Sequence, residues 1–116
     1  MKVMIVSGQN SLRMSMSKTL NMLMGDVQFI STDHENALVM FLDEDPKAVL
    51  ICEYEEKGSG EEDWNKGRAT FKDISGSADE TARVIRLGFS DYVYDNYIKM
   101  PFEISEVIQK IRVLEL

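Results

Sequence analysis

Lys2-Val3-Met4-Ile5-Val6-Ser7-Gly8-Gln9-Asn10-Ser11-Leu12-Arg13 is the stretch that decides the fold. Val3 to Val6 is an unbroken apolar run, as required of a central parallel strand buried on both faces. Ser7-Gly8-Gln9 then makes a short polar turn. Asn10-Ser11-Leu12-Arg13 opens a helix in which Leu12, Met16, Leu20 and Leu23 form one apolar stripe, and Gly25 is placed to stop it. A buried strand, a tight turn and an amphipathic helix begin a β–α–β unit, and the sequence beyond repeats that alternation.

Val27 to Ser31 reads as the second strand, with Val27, Phe29 and Ser31 on one face and Gln28 and Ile30 on the other. Thr32-Asp33-His34-Glu35 matches a capping box, in which Thr32 and Glu35 satisfy free amides at a helix start. Ala37, Leu38, Phe41 and Leu42 form the inward face of that second helix, and Pro46 lies beyond its end. Ala48 to Cys52 is the third buried strand. Tyr54 to Gly67 is acidic, rich in glycine and without a helical stripe, so it reads as a loop with one short helical turn around Trp64. The third helix is therefore expected to be shortened or disordered. Ala69 to Ile74 is assigned to strand four. Ser77-Ala78-Asp79-Glu80 is a second capping box, opening a fourth helix with Ala78, Ala82 and Ile85 inward and Gly88 at its end. Tyr92-Val93-Tyr94 is assigned to strand five. Phe102, Ile104, Val107, Ile108, Ile111 and Leu114 give the last helix its apolar face.

This alternation predicts right-handed crossovers and a doubly wound, three-layer α/β domain over residues 1–116. In such folds the functional crevice lies beyond the carboxyl ends of the strands. That rule puts Ser7, Gly8, Cys52, Glu53, Ser75 and the Tyr94–Pro101 segment on one rim.

Composition narrows the functional classes. Thirteen Lys and Arg against twenty Asp and Glu give a net charge of −7. Such a surface argues against direct nucleic-acid contact, which relies on cations to neutralise phosphates. One cysteine excludes an intramolecular disulfide and fits a reducing, cytoplasmic setting. No apolar run approaches the roughly 20 residues needed to cross a bilayer, and the first residues do not form a secretory signal.

The order of elements resembles the response-regulator receiver family, a flavodoxin-like (βα)5 fold with a five-stranded parallel sheet. Val3 to Arg13 is similar to its opening, apart from an acidic pair. Asp45-Pro46-Lys47-Ala48-Val49-Leu50-Ile51 resembles the approach to its third strand, and Leu87-Gly88-Phe89-Ser90-Asp91-Tyr92-Val93 its passage from helix four to strand five. Lys99-Met100-Pro101-Phe102 resembles its Lys-Pro-Phe signature with one residue inserted. The likeness covers almost the whole chain and is poorest in the middle third. It implies phosphotransfer from a histidine kinase to an aspartate at the end of strand three. Two further carboxylates would hold a hard cation that demands oxygen ligands, and a lysine and a hydroxyl would bind the phosphoryl group.

The matching positions depart from that pattern. The acidic pair falls on Ser7 and Gly8, and the acceptor on Cys52, with Glu53 one residue further and on the opposite face of an ideal strand. The lysine position is Met100, with Lys99 beside it and extra residues around Tyr94-Asp95-Asn96-Tyr97. The hydroxyl position falls on Ser75 by local pattern and on Asp73 when counted back from Gly88. Magnesium-dependent aspartyl phosphorylation is therefore not expected, nor is a metal, a cofactor or catalysis.

Cys52 reads as a small core residue rather than a reactive thiol, Glu53 as a solvated carboxylate rather than a phosphate mimic, and His34 as a surface residue without ligand partners. Of the eight methionines, Met14, Met22 and Met24 fall off the core stripes. Trp64 reads as an anchor of the acidic loop rather than a contact residue. Tyr92, Tyr94 and Tyr97 lie beside helices four and five, on a face that receivers use for dimers and output contacts; tyrosine suits such surfaces.

The expected function is a phosphorylation-independent interaction module in bacterial signalling, meeting a protein partner or a second copy through the face of helix four, strand five and helix five, with no membrane contact. Two alternatives belong to other classes: phosphorylation at Glu53 or Cys52, and a small nucleotide-binding protein using Ser7-Gly8-Gln9, which lacks a Gly-rich fingerprint and a Walker lysine.

Overall fold

The computed structural model describes residues 1–52, 69–70, 72–74, 84–88, 97–99 and 102–114. Five strands form one all-parallel sheet: β1 (Lys2–Val6), β2 (Gln28–Thr32), β3 (Ala48–Cys52), β4 (Val84–Gly88) and β5 (Tyr97–Lys99), in the spatial order β2-β1-β3-β4-β5. The helices are α1 (Asn10–Leu23), α2 (Ala37–Glu44), α3 (residues 69–70 and 72–74) and α4 (Ile104–Leu114). The order reverses between β1 and β3, which is the switch point of a doubly wound sheet.

Alternate residues along the strands separate two cores. Val3, Ile5, Leu50, Cys52, Ile85 and Leu87 face Met16 and Leu20 of α1 and Val107 and Ile111 of α4. Met4, Val6, Val49, Ile51 and Val84 face Ala37 and Phe41 of α2 and Ile74 of α3. Every residue of β3 and β4 is buried, and all of β1 after Lys2. Each large apolar side chain so buried stabilises the fold by about 1.5–3 kcal/mol.

The ends of the helices depart from the sequence reading. Thr32 is the last residue of β2, and its carbonyl accepts the Ser7 N–H at 3.1 Å, so it cannot cap α2. Asn36 is the N-cap of α2 and makes no side-chain cap bond; Asp33 braces the turn before it, its Oδ1 accepting the Asn36 backbone N–H at 2.9 Å and the Asn36 side-chain N–H at 2.8 Å. The second strand thus runs one residue later than Val27–Ser31. Asp45 closes α2 in the left-handed region (φ 45°), which aspartate tolerates better than most residues, and Pro46 follows. Leu23, expected inward, is exposed, whereas Met24, expected off the stripe, is buried. Helix α1 stops at Leu23 and the backbone of Met24 leaves the helical region (φ −130°, ψ 68°), which turns its side chain under the helix. Leu42 is also exposed rather than inward, with Ala37 and Phe41 carrying the contact of α2.

The second half needs larger corrections. Residues 69–70 and 72–74 are helical, not a fourth strand. Strand four is Val84–Gly88, so Ile85 lies in the sheet and not on a helix, and Leu87-Gly88 end a strand. Strand five is Tyr97–Lys99; Tyr92-Val93-Tyr94 lies outside the described residues, as do the acidic loop 54–67 with Trp64 and the second capping box at 77–80. A short apolar run with one charge inside it, such as Val84-Ile85-Arg86-Leu87, fits either period, and only the sheet decides between them.

Among the described residues, two ion pairs tie chain-distant elements together. Lys2 reaches Glu44 at 2.6 Å, joining the start of β1 to the end of α2. Arg112 of α4 binds Asp26 in a bidentate fork at 2.7 and 2.9 Å. The Arg112 hydrogen bonds, then a backbone hydrogen bond within Asp26, hold that carboxyl down to about 2 from an ordinary 3.8. A carboxylate depressed in the folded state contributes stability above its unfolded value and loses it as pH falls through the folded one. The pair is exposed and therefore screened.

Met24→Ala is expected to cost about 2–5 kcal/mol, as for other buried truncations, while Met22→Ala changes stability by less than about 0.5 kcal/mol; urea unfolding of both variants checks this. Arg112→Gln should return the Asp26 carboxyl from about 2 towards its ordinary range, read by carbon-detected NMR titration. An unmoved midpoint would show that Arg112 is not the cause.

Candidate functional site

The sheet presents its carboxyl edge where β1 and β3 diverge. Val6 is in register with Thr32 on one side and Ile51 on the other, so Ser7 leaves the sheet beside the ends of both neighbouring strands. Ser7 is fully buried. Its Oγ accepts the Gln9 N–H at 3.1 Å and donates to the Gln9 carbonyl at 3.3 Å, so the hydroxyl is committed to shaping the turn into α1. Gly8 is exposed at the tip of that turn.

Arg13, one turn into α1, folds its guanidinium back onto this rim. Its Nη1 donates to the Ser7 carbonyl and its Nη2 to Asn10 Oδ1 at 3.2 Å. Asp33 stands after the neighbouring strand β2. Its carboxyl is lowered first by the Asn36 backbone N–H, then by the Asn36 side chain, with a smaller electrostatic contribution from Arg13. Where the receiver resemblance implies two carboxylates, the end of β1 therefore holds a neutral hydroxyl with a fixed cation hydrogen-bonded to its backbone. A guanidinium here opposes a hard divalent cation, and a hydroxyl already used by the backbone is a poor ligand for one.

Cys52 ends β3 fully buried, packed with Leu50, Leu87 and the helices α1 and α4. Its thiol faces the interior, an environment in which cysteine is inert. Glu53 and Ser75 lie outside the described residues. Asp73, the other position for the hydroxyl, is exposed in α3. With strand four reassigned, the residue at its carboxyl end is Gly88, in register with Lys99, the exposed last residue of β5. The fold thus gathers Ser7, Gly8, Cys52 and Lys99 along one sheet edge, with Cys52 turned inward. Tyr97 is half-buried on β5; Tyr92 and Tyr94 lie outside the described residues.

Four residues with roles in the structure escaped the sequence reading: Arg13, Asp33, Arg86 and His34. Arg13 and Asp33 looked like helix and cap residues, and only the closeness of β1 and β2 brings them together. Arg86 is 8% exposed in the middle of β4, between Ile51 and Tyr97 in register. Its signal was the charge interrupting Val84-Ile85 and Leu87. His34, read as a plain surface residue, places Nδ1 2.9 Å from Thr70 Oγ1 and so links the approach to α2 with α3. With Glu35, Ala69, Thr70 and Asp73 it lines a cavity of about 150 Å³. Among the described residues no group of three or more His, Cys, Asp or Glu is placed to hold a metal ion.

No family model and no curated protein matches the sequence. Solved structures do match. NtrX from Brucella abortus is 17% identical with a TM-score of 0.70 over 98% of this chain, which spans only 26% of that longer chain. Chemotaxis protein CheY4 from Vibrio cholerae is 13% identical with a TM-score of 0.73, covering 97% of each chain. The response regulator protein TrrA, solved in complex with the histidine kinase ThkA, is 19% identical with a TM-score of 0.73, again covering 97% of each. Strand order, parallel pairing and these superpositions agree: the chain has the fold of a response-regulator receiver domain.

Proposed function

We propose that this chain is a pseudo-receiver, a non-catalytic module that works through protein–protein contact in bacterial cytoplasmic signalling and does not depend on phosphorylation. The observation that carries the reading is the chemistry at the ends of β1 and β3. Buried Ser7, exposed Gly8 and buried Cys52 stand where a phosphoacceptor pocket needs three carboxylates, and Arg13 adds a positive charge to the same rim. An acyl phosphate needs a solvent-accessible carboxylate and a hard cation beside it, and a thiol enclosed among Leu50, Leu87 and Ile111 offers neither.

A scaffold without its switch retains its surfaces. The face proposed is that of the fourth helix, strand five and the last helix α4: Tyr97 stands on β5, and Tyr92 and Tyr94 precede it in the sequence. Tyrosines combine large contact area with a polar tip, which suits a protein interface. Support for contact as the mode of action comes from TrrA, which is similar in fold and was solved bound to a kinase. Either a protein partner or a second copy fits this face.

An amide NMR titration with magnesium, then with magnesium and beryllofluoride, should leave Ser7, Gly8 and Cys52 unmoved. Saturable shifts clustered there would mean a working phosphoryl pocket and would end the proposal. Tyr94→Asp and Tyr97→Asp, each confirmed folded by its amide spectrum, should weaken self-association in sedimentation by about tenfold or more. Association that persists unchanged in both would move the interface elsewhere.

A further inference from the structure

A globular-protein helix of eight residues normally shows one apolar face and one polar face. Helix α2 does not. Its sequence is Ala37-Leu38-Val39-Met40-Phe41-Leu42-Asp43-Glu44, with six apolar residues in succession, yet only Ala37 and Phe41 are buried. Val39 and Leu42, three residues apart and so on one side of the helix, are 63% and 61% exposed. Val39 lines a shallow groove of about 380 Å³ with Thr32, Asn36, Met40, Asp43 and Glu44, and Leu42 stands exposed on the helix beyond it. Thr32 belongs to β2, the edge strand, which pairs only with β1. The outer flank of α2 and the sheet edge thus form one surface in which Val39 and Met40 supply the apolar lining between polar Thr32 and Asn36 and acidic Asp43 and Glu44.

Its charge identifies the occupant. Asp43 and Glu44 line the groove, and both are exposed, as are Glu35 before the helix and Asp45 at its end. Among the described residues, the cations at this end of α2 are Lys2, which is bound to Glu44 at 2.6 Å, and Lys47. A second copy docking by the same face would set these acidic residues against themselves, since a two-fold contact brings identical patches together. The whole chain carries a net charge of −7 as well. A helix with apolar anchors three and four residues apart, flanked by Lys or Arg, meets both the apolar lining and the acidic residues.

We propose that the outer flank of α2, against the edge strand β2, is a docking groove for a basic amphipathic helix of another protein. It lies at the opposite sheet edge from the β5 face, so two partners could be held at once, and it stands whether or not the β5 face is an interface.

The test titrates the labelled full chain with a synthetic amphipathic helix of about 15 residues made of Leu and Lys, and with a Leu and Glu peptide of the same pattern. The Leu/Lys peptide should give saturable amide shifts confined to Thr32 and residues 35–44. Affinity should fall about tenfold in Val39→Ser/Leu42→Ser, and severalfold in Asp43→Asn or on raising salt from about 0.05 to about 0.3 M. Both apolar positions are exposed, so the core amide spectrum should be unchanged in the double variant; Asp43→Asn decides the matter if α2 is lost there. Shifts elsewhere on the chain, equal binding by the Leu/Glu peptide, or binding indifferent to both variants would overturn the proposal. So would a dimer that Val39→Ser/Leu42→Ser dissociates, which would make the occupant a second copy.

Discussion

The central strands β1, β3 and β4 are shut off from solvent on both faces, and the rest of the molecule is arranged to keep them so. A parallel strand cannot be joined to its neighbour by a hairpin, so each connection crosses the sheet and deposits a helix on one side. Two helical layers result: α1 and α4 over Ile5, Leu50 and Leu87, and α2 and α3 over Met4, Ile51 and Val84. The reversal of strand order between β1 and β3 follows from filling both sides, and it opens the crevice at the carboxyl edge. The site is thus a by-product of burial, whatever residues stand there.

Those residues set the chemistry, and at this carboxyl edge Ser7, Arg13 and Asp33 are engaged in local hydrogen bonds. Ser7 spends its hydroxyl on the turn, Arg13 spends part of its guanidinium on the Ser7 carbonyl, and Asp33 braces the approach to α2. Each of these contacts fixes where a strand passes into a helix. Cys52 joins the core instead of facing the rim.

The sites of interest then move to the flanks. At one sheet edge stand Tyr97 and Lys99 of β5, and at the other an α2 helix more apolar than its burial requires. An exposed apolar pair such as Val39 and Leu42 is unremarkable if scattered, but with Val39 in a groove that Asp43 and Glu44 also line it forms a coherent surface.

The first half of the chain was legible in the sequence because its signals are local and unambiguous. The runs Val3 to Val6 and Ala48 to Cys52 admit only one period, and the stripe of Met16 and Leu20 admits only the other. Ser7, Gly8 and Cys52 were legible as the residues at the ends of the first and third strands, since that depends on position along the chain alone. Tertiary structure decided what depended on neighbours. Val84-Ile85-Arg86-Leu87-Gly88 fits a helix ended by glycine as well as a strand, and pairing with β3 settles it. Met24 looks exposed by helical spacing, but the chain leaves the helix there and folds it inward. The placing of Asp33 beside the Ser7–Arg13 turn needs β1 and β2 side by side. A sequence records the period of each segment, but which segment lies next to which is fixed by burying those periods together.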